Sequence, residues 1–225
     1  MNKKEEVVTE KAKKISIQLL IVLFILIIIV AVFTFIVNHI VWGKNSDLDI
    51  WAFERLSNIT NVSTTNLMVT ITFFGSSYFL LPAYTFLIVY FLTFGKNKKL
   101  ALYIAVVGVT SRLIQTFLKS YFQRHRPPDP LIENVDGFSF PSGHSFSGFT
   151  FFGLLIYIIW KHDINIYIKW IVSLFLFLFA ATIAFSRVYL HVHYVSDVIA
   201  GFCLSLTWFS ICIWLLDKFT AKYKR

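Results

Sequence analysis

Charge is scarce in this chain. Asp, Glu, Lys and Arg together make up only 15% of the 225 residues, while 57% are hydrophobic. That balance excludes an ordinary soluble domain. Cysteine is scarcer still: Cys203 and Cys212 are the only two, and both fall in one apolar run. They read as small core residues, not as a disulfide framework or a metal pair. The basic stretch 1–14 leads into an apolar run without a small-residue cleavage site, so no signal peptide is expected. Internal repeats and low-complexity linkers are also missing. At this length the whole of 1–225 is expected to form one domain.

What the chain has in quantity is long apolar runs. Six are long enough to span a bilayer core of roughly 30 Å. They cover 15–41, 66–94, 100–118, 145–160, 170–185 and 197–216, with Pro82 as an expected kink in the second. The fold class this predicts is all-α, an integral membrane bundle of six helices. Between the first two runs, residues 47–56 read DLDIWAFERL, an amphipathic segment suited to the membrane interface. The formal net charge of +9 could mean nucleic acid, but the cations flank apolar runs, so no nucleic-acid partner is expected. Six spans put both termini on one side. Fourteen of the 21 Lys and Arg residues fall on the side of the termini and six on the other, with Arg112 inside a span. The positive-inside rule then predicts a multi-pass protein of the cell membrane. Its basic N-terminus (1–14) and tail (217–225) would be cytoplasmic.

Acidic residues are missing from the middle of every span, yet the third run carries cations. Arg112, Gln115 and Lys119 recur at helical spacing on one face. Such a stripe is expected to face the bundle interior, with Arg112 in a supporting role, bonded there to neutral oxygens or reached by a water-filled cavity; direct substrate contact is the alternative.

Three short polar stretches carry chemistry, and topology puts all three at the outward ends of helices. In 119–127, KSYFQRHRP, Lys119 and Arg126 suit a phosphate dianion. In 138–148, FSFPSGHSFSG, a turn opens a helix whose first amides favour anions, with Ser142 and Gly143 at its start. His144 there is a candidate proton donor to a leaving oxygen. In 186–197, SRVYLHVHYVSD, His193 and Asp197 are four residues apart. If that segment is helical they share a face. Asp197 could then fix the tautomer of His193 and free its other nitrogen to attack. Arg187 adds a permanent charge. Nucleophile, orienting carboxylate, acid and cations are the parts phosphoryl transfer requires.

These residues resemble the type 2 phosphatidic acid phosphatase superfamily, whose signature is K-x6-R-P, P-S-G-H and S-R-x5-H-x3-D. Here they stand as Lys119…Arg126-Pro127, Pro141-Ser142-Gly143-His144 and Ser186-Arg187…His193…Asp197, in order and without departure. The resemblance implies His193 as the nucleophile, Asp197 as its orienting group and His144 as acid, then base. It implies Lys119, Arg126, Arg187, Ser142 and the Gly143 amide as holders of the phosphoryl oxygens. It also implies a metal-free reaction without cofactor. The substrate would be a lipid phosphate or pyrophosphate: phosphatidylglycerophosphate, phosphatidic acid or undecaprenyl pyrophosphate. Membrane lipids would be the other partners, and the oligomeric state is not legible. His125 and His191 lie outside the matched positions and read as interfacial. The rival reading is a non-catalytic membrane transporter or lipid-binding protein. It accounts for the cationic stripe but not for His144 or the His193–Asp197 pair.

Overall fold

A computed structural model describes residues 20–44, 47–133 and 135–222. Residues 15–19 of the expected first span lie outside the described residues. Among those described, eight helices form and no strand. Helix α1 runs Leu20–Trp42, its last seven residues in wider π-type turns, and is followed by α2, Asp47–Ser57. Then come α3 (Val62–Phe73), α4 (Ser77–Thr93) and α5 (Lys98–Phe122). The last three are α6 (Gly143–Lys161), α7 (Ile166–Tyr189) and α8 (Val195–Lys222). Six helical stretches are long and apolar enough to cross a membrane, with α3 and α4 together making the second. The chain is an all-α, six-span membrane protein.

The second span breaks at a place other than the one its proline marks. Pro82 sits inside α4, which continues past it, and the interruption falls at 74–76. Gly75 explains the position. A Cβ there would lie 2.5 Å from the Ile183 side chain and 3.0 Å from the His144 ring, so only glycine lets the break pack so close to α7 and α6.

Helix α6 is central, packed against α5, α7 and α8, while α4 pairs with α5 and α3 with α7. Lipid is as apolar as a leucine side chain, so helices in a bilayer gain little from hydrophobic burial alone and associate through close packing. Gly201 of α8 shows how: a Cβ there would be 2.8 Å from the Ser142 carbonyl oxygen and 2.9 Å from Ser145 Cβ. The backbone of α8 thus seats directly on the first turn of α6. Cys203 and Cys212 are buried and free, as their setting predicts. Many bulky residues on the outer faces, such as Phe86, Phe117 and Leu174, are exposed to what would be lipid.

The helix α2 forms where the amphipathic segment was expected, and it is anchored by more than apolar contact. Its inner stripe is Asp49, Ala52, Phe53 and Leu56, at helical spacing, and Asp49 is 0% exposed.

Candidate active site

The three polar stretches meet at one end of the bundle. They lie at the C-terminal ends of α5 and α7 and the N-terminal ends of α6 and α8. Backbone hydrogen bonds stitch them together. Ser139 N donates to the Arg124 carbonyl at 2.7 Å, joining the second stretch to the first. Ser142 N donates to the Asp197 carbonyl at 3.0 Å, joining it to the third. The third stretch folds on itself, because the Arg187 carbonyl accepts from both Val192 N and His193 N at 3.1 Å. His191, at φ 53°, makes the reversal between α7 and α8.

This turn corrects one expectation. His193 precedes α8, which begins at Val195, so a shared helical face does not bring it to Asp197. The reversal does so instead. His193 Nδ1 lies 3.4 Å from Asp197 Oδ2 and 3.3 Å from Ser139 Oγ, while Ser139 Oγ donates to the same carboxylate oxygen. Tyr194 N adds a further bond to Asp197 Oδ2 at 3.0 Å. With two oxygens around Nδ1, the proton belongs there and the lone pair belongs on Nε2. Nε2 faces Arg126 Nη1 at 3.4 Å. Although its stretch lies at a helix end, His193 is only 2% exposed. Burial pulls its pKa down to about 3, outweighing the opposing pull of Asp197, so the imidazole is neutral at any physiological pH.

Three cations, Lys119, Arg126 and Arg187, lie around the His193 ring. Arg126 is fixed by carbonyls: Gly137 at 3.0 Å, Val192 at 2.7 Å and Asp136 at 2.9 Å. Burial lowers its pKa, with Asp197 opposing, and leaves a charge held by neutral partners. Lys119 Nζ donates to the Phe138 carbonyl at 2.6 Å. Arg187 is 5% exposed, donates from Nη1 to Thr72 Oγ1 at 2.7 Å, and keeps a buried Nε with no partner among the described residues. A buried guanidinium N–H without an acceptor is costly, and an anion would satisfy it.

Helix α6 aims its N-terminus at the same place. Ser142 is its N-cap, its Oγ accepting from Ser145 N at 3.4 Å. Gly143 follows with the Gln115 amide so close that a Cβ would sit 1.9 Å from Gln115 Nε2. His144, half-buried, projects beside Gly75 at the break between α3 and α4. All eight predicted site residues are thus drawn to one end of the bundle.

The stripe on α5 divides. Gln115 faces inward, with its Oε1 accepting from Ser147 Oγ at 3.2 Å, and Lys119 is half-buried. Arg112 departs from the expectation: it is exposed on the outer surface of the bundle, and its guanidinium forms no hydrogen bond or ion pair among the described residues. Helical periodicity places Arg112 and Lys119 on the same face, but Gln115 is buried and Lys119 half-buried near the end of the helix while Arg112, two turns earlier, is exposed. His125 is exposed, and His191 rests against the Phe53 ring at 4.8 Å.

Four contributing residues escaped the sequence reading: Asp49, Arg124, Ser139 and Thr72. Asp49 had a signal, since it occupies the apolar stripe of an amphipathic helix, where an unpaired carboxylate is too costly to bury. Ser139 and Thr72 had none.

A six-span helical bundle with two histidines, a carboxylate and three cations gathered at one end is a membrane phosphatase by class. The PAP2 superfamily profile matches residues 98–221, and the chain belongs to that superfamily of lipid phosphatases. It is 34% identical to phosphatidylglycerophosphatase B of Bacillus subtilis over 160 residues, covering 71% of this chain and 76% of that one. It is 34% identical to dolichyldiphosphatase of Saccharomyces cerevisiae over 138 residues, 57% of each chain. The crystal structure of the transmembrane PAP2-type phosphatidylglycerolphosphate phosphatase of Bacillus subtilis superposes with a TM-score of 0.73 at 30% identity, over 88% of this chain and 95% of that one.

Proposed function

We propose that this lipid phosphatase cleaves a lipid phosphate monoester or pyrophosphate through a phosphohistidine on His193. The observation that carries the reading is the orientation of that ring. Its Nδ1 is covered by Asp197 and Ser139, and its Nε2 faces the Arg126 guanidinium. The Nε2 lone pair forms the N–P bond as the bond from phosphorus to the leaving lipid oxygen breaks. His144 gives its proton to that oxygen. It then takes one from water, whose oxygen attacks phosphorus while the N–P bond breaks and the electron pair returns to Nε2. Charge on the three equatorial oxygens is held by Lys119, Arg126, Arg187, Ser142 and the Gly143 amide, which together do the electrostatic work a divalent ion does elsewhere.

The same site chemistry serves a monoester and a pyrophosphate. The names of the relatives span both, a phosphatidylglycerophosphatase and a dolichyldiphosphatase. The substrate class follows as phosphatidylglycerophosphate, phosphatidic acid or undecaprenyl pyrophosphate. The Lys and Arg distribution supports cytoplasmic termini and an outward-facing site in the cell membrane. The single domain spans the chain.

The test is phosphate release in detergent over those three lipids, with and without EDTA, beside acid-quenched and base-quenched labelling by a radioactive phosphate donor. Turnover that persists in EDTA, with a label stable to base, labile to acid and lost in His193→Gln, is the expected result. Activity that vanishes in EDTA and returns with magnesium contradicts the mechanism. For sidedness, a cysteine placed in 128–137 should react with an impermeant thiol reagent in intact cells or spheroplasts, and one in 95–99 should not.

A further inference from the structure

Behind the His193–Asp197 pair lies a second layer of charge that the signature does not contain. Asp49, on α2, is 0% exposed. Its Oδ2 accepts from Arg124 Nη2 at 2.8 Å and from Ser196 Oγ at 2.7 Å, and its Oδ1 accepts from Ser196 N at 3.0 Å. That last bond caps the first turn of α8 from a separate helix, where free amides and the helix dipole favour a carboxylate. Arg124 reaches on to Asp197 Oδ1 at 2.6 Å and to Ser196 Oγ at 2.8 Å. Its guanidinium lies 4.1 Å over the Tyr194 ring. The two carboxylates more than offset the burial that disfavours its charge, and its pKa is raised.

We propose that Asp49 and Arg124 are positioning residues that set both the aim and the charge of Asp197. The aim follows from the division of labour between the two oxygens of Asp197. Arg124 occupies Oδ1, which leaves Oδ2 to Ser139, Tyr194 N and His193 Nδ1. The charge follows from counting. Asp49, Asp197 and Arg124 carry a net charge of minus one beside a neutral imidazole. When Nε2 bonds to phosphorus with Nδ1 still protonated, His193 becomes cationic, and that residual negative charge stabilises it. Without Asp49, one guanidinium neutralises one carboxylate and the stabilising charge is gone. The arrangement also makes α2, a helix outside the six spans, part of the reaction.

The inference rests on His193 as nucleophile, so the experiment separates the two. Phosphohistidine trapping in the wild type tests the nucleophile, and its absence there overturns that reading whatever Asp49 does. The inference itself is tested by Asp49→Asn and Arg124→Lys, each alone and combined with Asp197→Asn, with kcat, KM, the rate of phosphoenzyme formation and Tm measured. Asparagine keeps the shape and the cap on Ser196 N, while lysine keeps a charge that cannot bridge two carboxylates. Each single variant should lower kcat and phosphoenzyme formation about tenfold or more, with KM within about twofold. In the Asp197→Asn background the same changes should cost less than about threefold, because they act through Asp197. Equal losses in both backgrounds, an unchanged kcat, or a failure of both variants to fold would each reduce the network to a structural ion pair and overturn the proposal.

Discussion

The two sides of His193 differ in how completely their polar groups are satisfied. On the Nδ1 side, Asp49, Arg124, Asp197, Ser139 and Ser196 form a closed network in which donor meets acceptor and charge meets opposite charge. The cations Lys119, Arg126 and Arg187, of which Arg126 meets Nε2, bond among the described residues to neutral carbonyl or hydroxyl oxygens and the His193 ring nitrogen, and Arg187 Nε has no partner there. A buried charge is tolerated when it is paired, so one side is a finished scaffold and the other is short of an anion. The contrast is one that an anionic substrate beside Arg126 and Arg187 would resolve. It also fits the proposed role of a histidine only 2% exposed as nucleophile, since its Nε2 faces the unfinished side at Arg126.

The comparison breaks most severely if the ring joining the two sides is removed. His193→Gln should lower phosphate release at least about 10⁴-fold, measured in detergent with a lipid phosphate. Glutamine fills the cavity, so Tm should change little. Retention of near-wild-type turnover would sink the mechanism.

The next effect sharpens the difference between the sides. Arg187→Met should reduce kcat/KM by about 10²–10³-fold. Vanadate, which can take a five-coordinate form like the phosphoryl transition state, should inhibit competitively and raise the wild-type Tm. The Arg187→Met variant should lose that rise. Ser139→Ala, on the closed side, should lower kcat by about tenfold or less and keep it. Loss of the vanadate shift in both variants would mean that the two sides do not act separately.

A smaller effect concerns pH. The folded state holds His193 neutral down to about pH 3, whereas the unfolded chain takes up its proton near pH 6.5. The unfolded state therefore binds more protons between those values, and stability falls as pH falls through that window. The slope is at most about 1.4 kcal/mol per pH unit for one proton. Tm followed from pH 7.5 to 4.5 should drop less steeply in His193→Gln than in the wild type. Parallel curves would place the imidazole in a wetter setting than its burial indicates.

The smallest effect is at Arg112, outside both sides. Because its side chain is exposed and unbonded within the described residues, Arg112→Leu should leave Tm unchanged. It should also alter kcat/KM by less than about threefold for monoester and pyrophosphate alike. A large loss of Tm would restore the supporting role expected from its place on the helical stripe.

Those outcomes track what the sequence could and could not say. The eight candidate site residues were legible as candidates because three short motifs keep chemistry-bearing residues at fixed spacing, and each motif abuts a long apolar run. The topology then had to place all three at one end. Arg112 was misread because a single helical face can be split by its neighbours. Gln115 packs against Gly143 while Arg112, one turn earlier, looks outward. The break at 74–76 was not legible because it follows from what packs beside the chain as much as from the chain itself. Gly75 yields to Ile183 and His144.

The sequence by itself determined the solvent this protein lives in, the number of its spans and the residues able to handle a phosphate. All of these rest on local properties: run length, hydropathy and spacing within a few turns. Tertiary structure alone decided which charges are closed and which stay open. The Asp49–Arg124 bond joins residues 75 apart and the Asp49–Ser196 bonds join residues 147 apart, distances over which no periodicity in one chain carries information. Pairing depends on which helix faces meet. Only when α2 laid Asp49 against the start of α8 did one guanidinium come to be shared by two carboxylates, leaving the other cations to wait for a substrate.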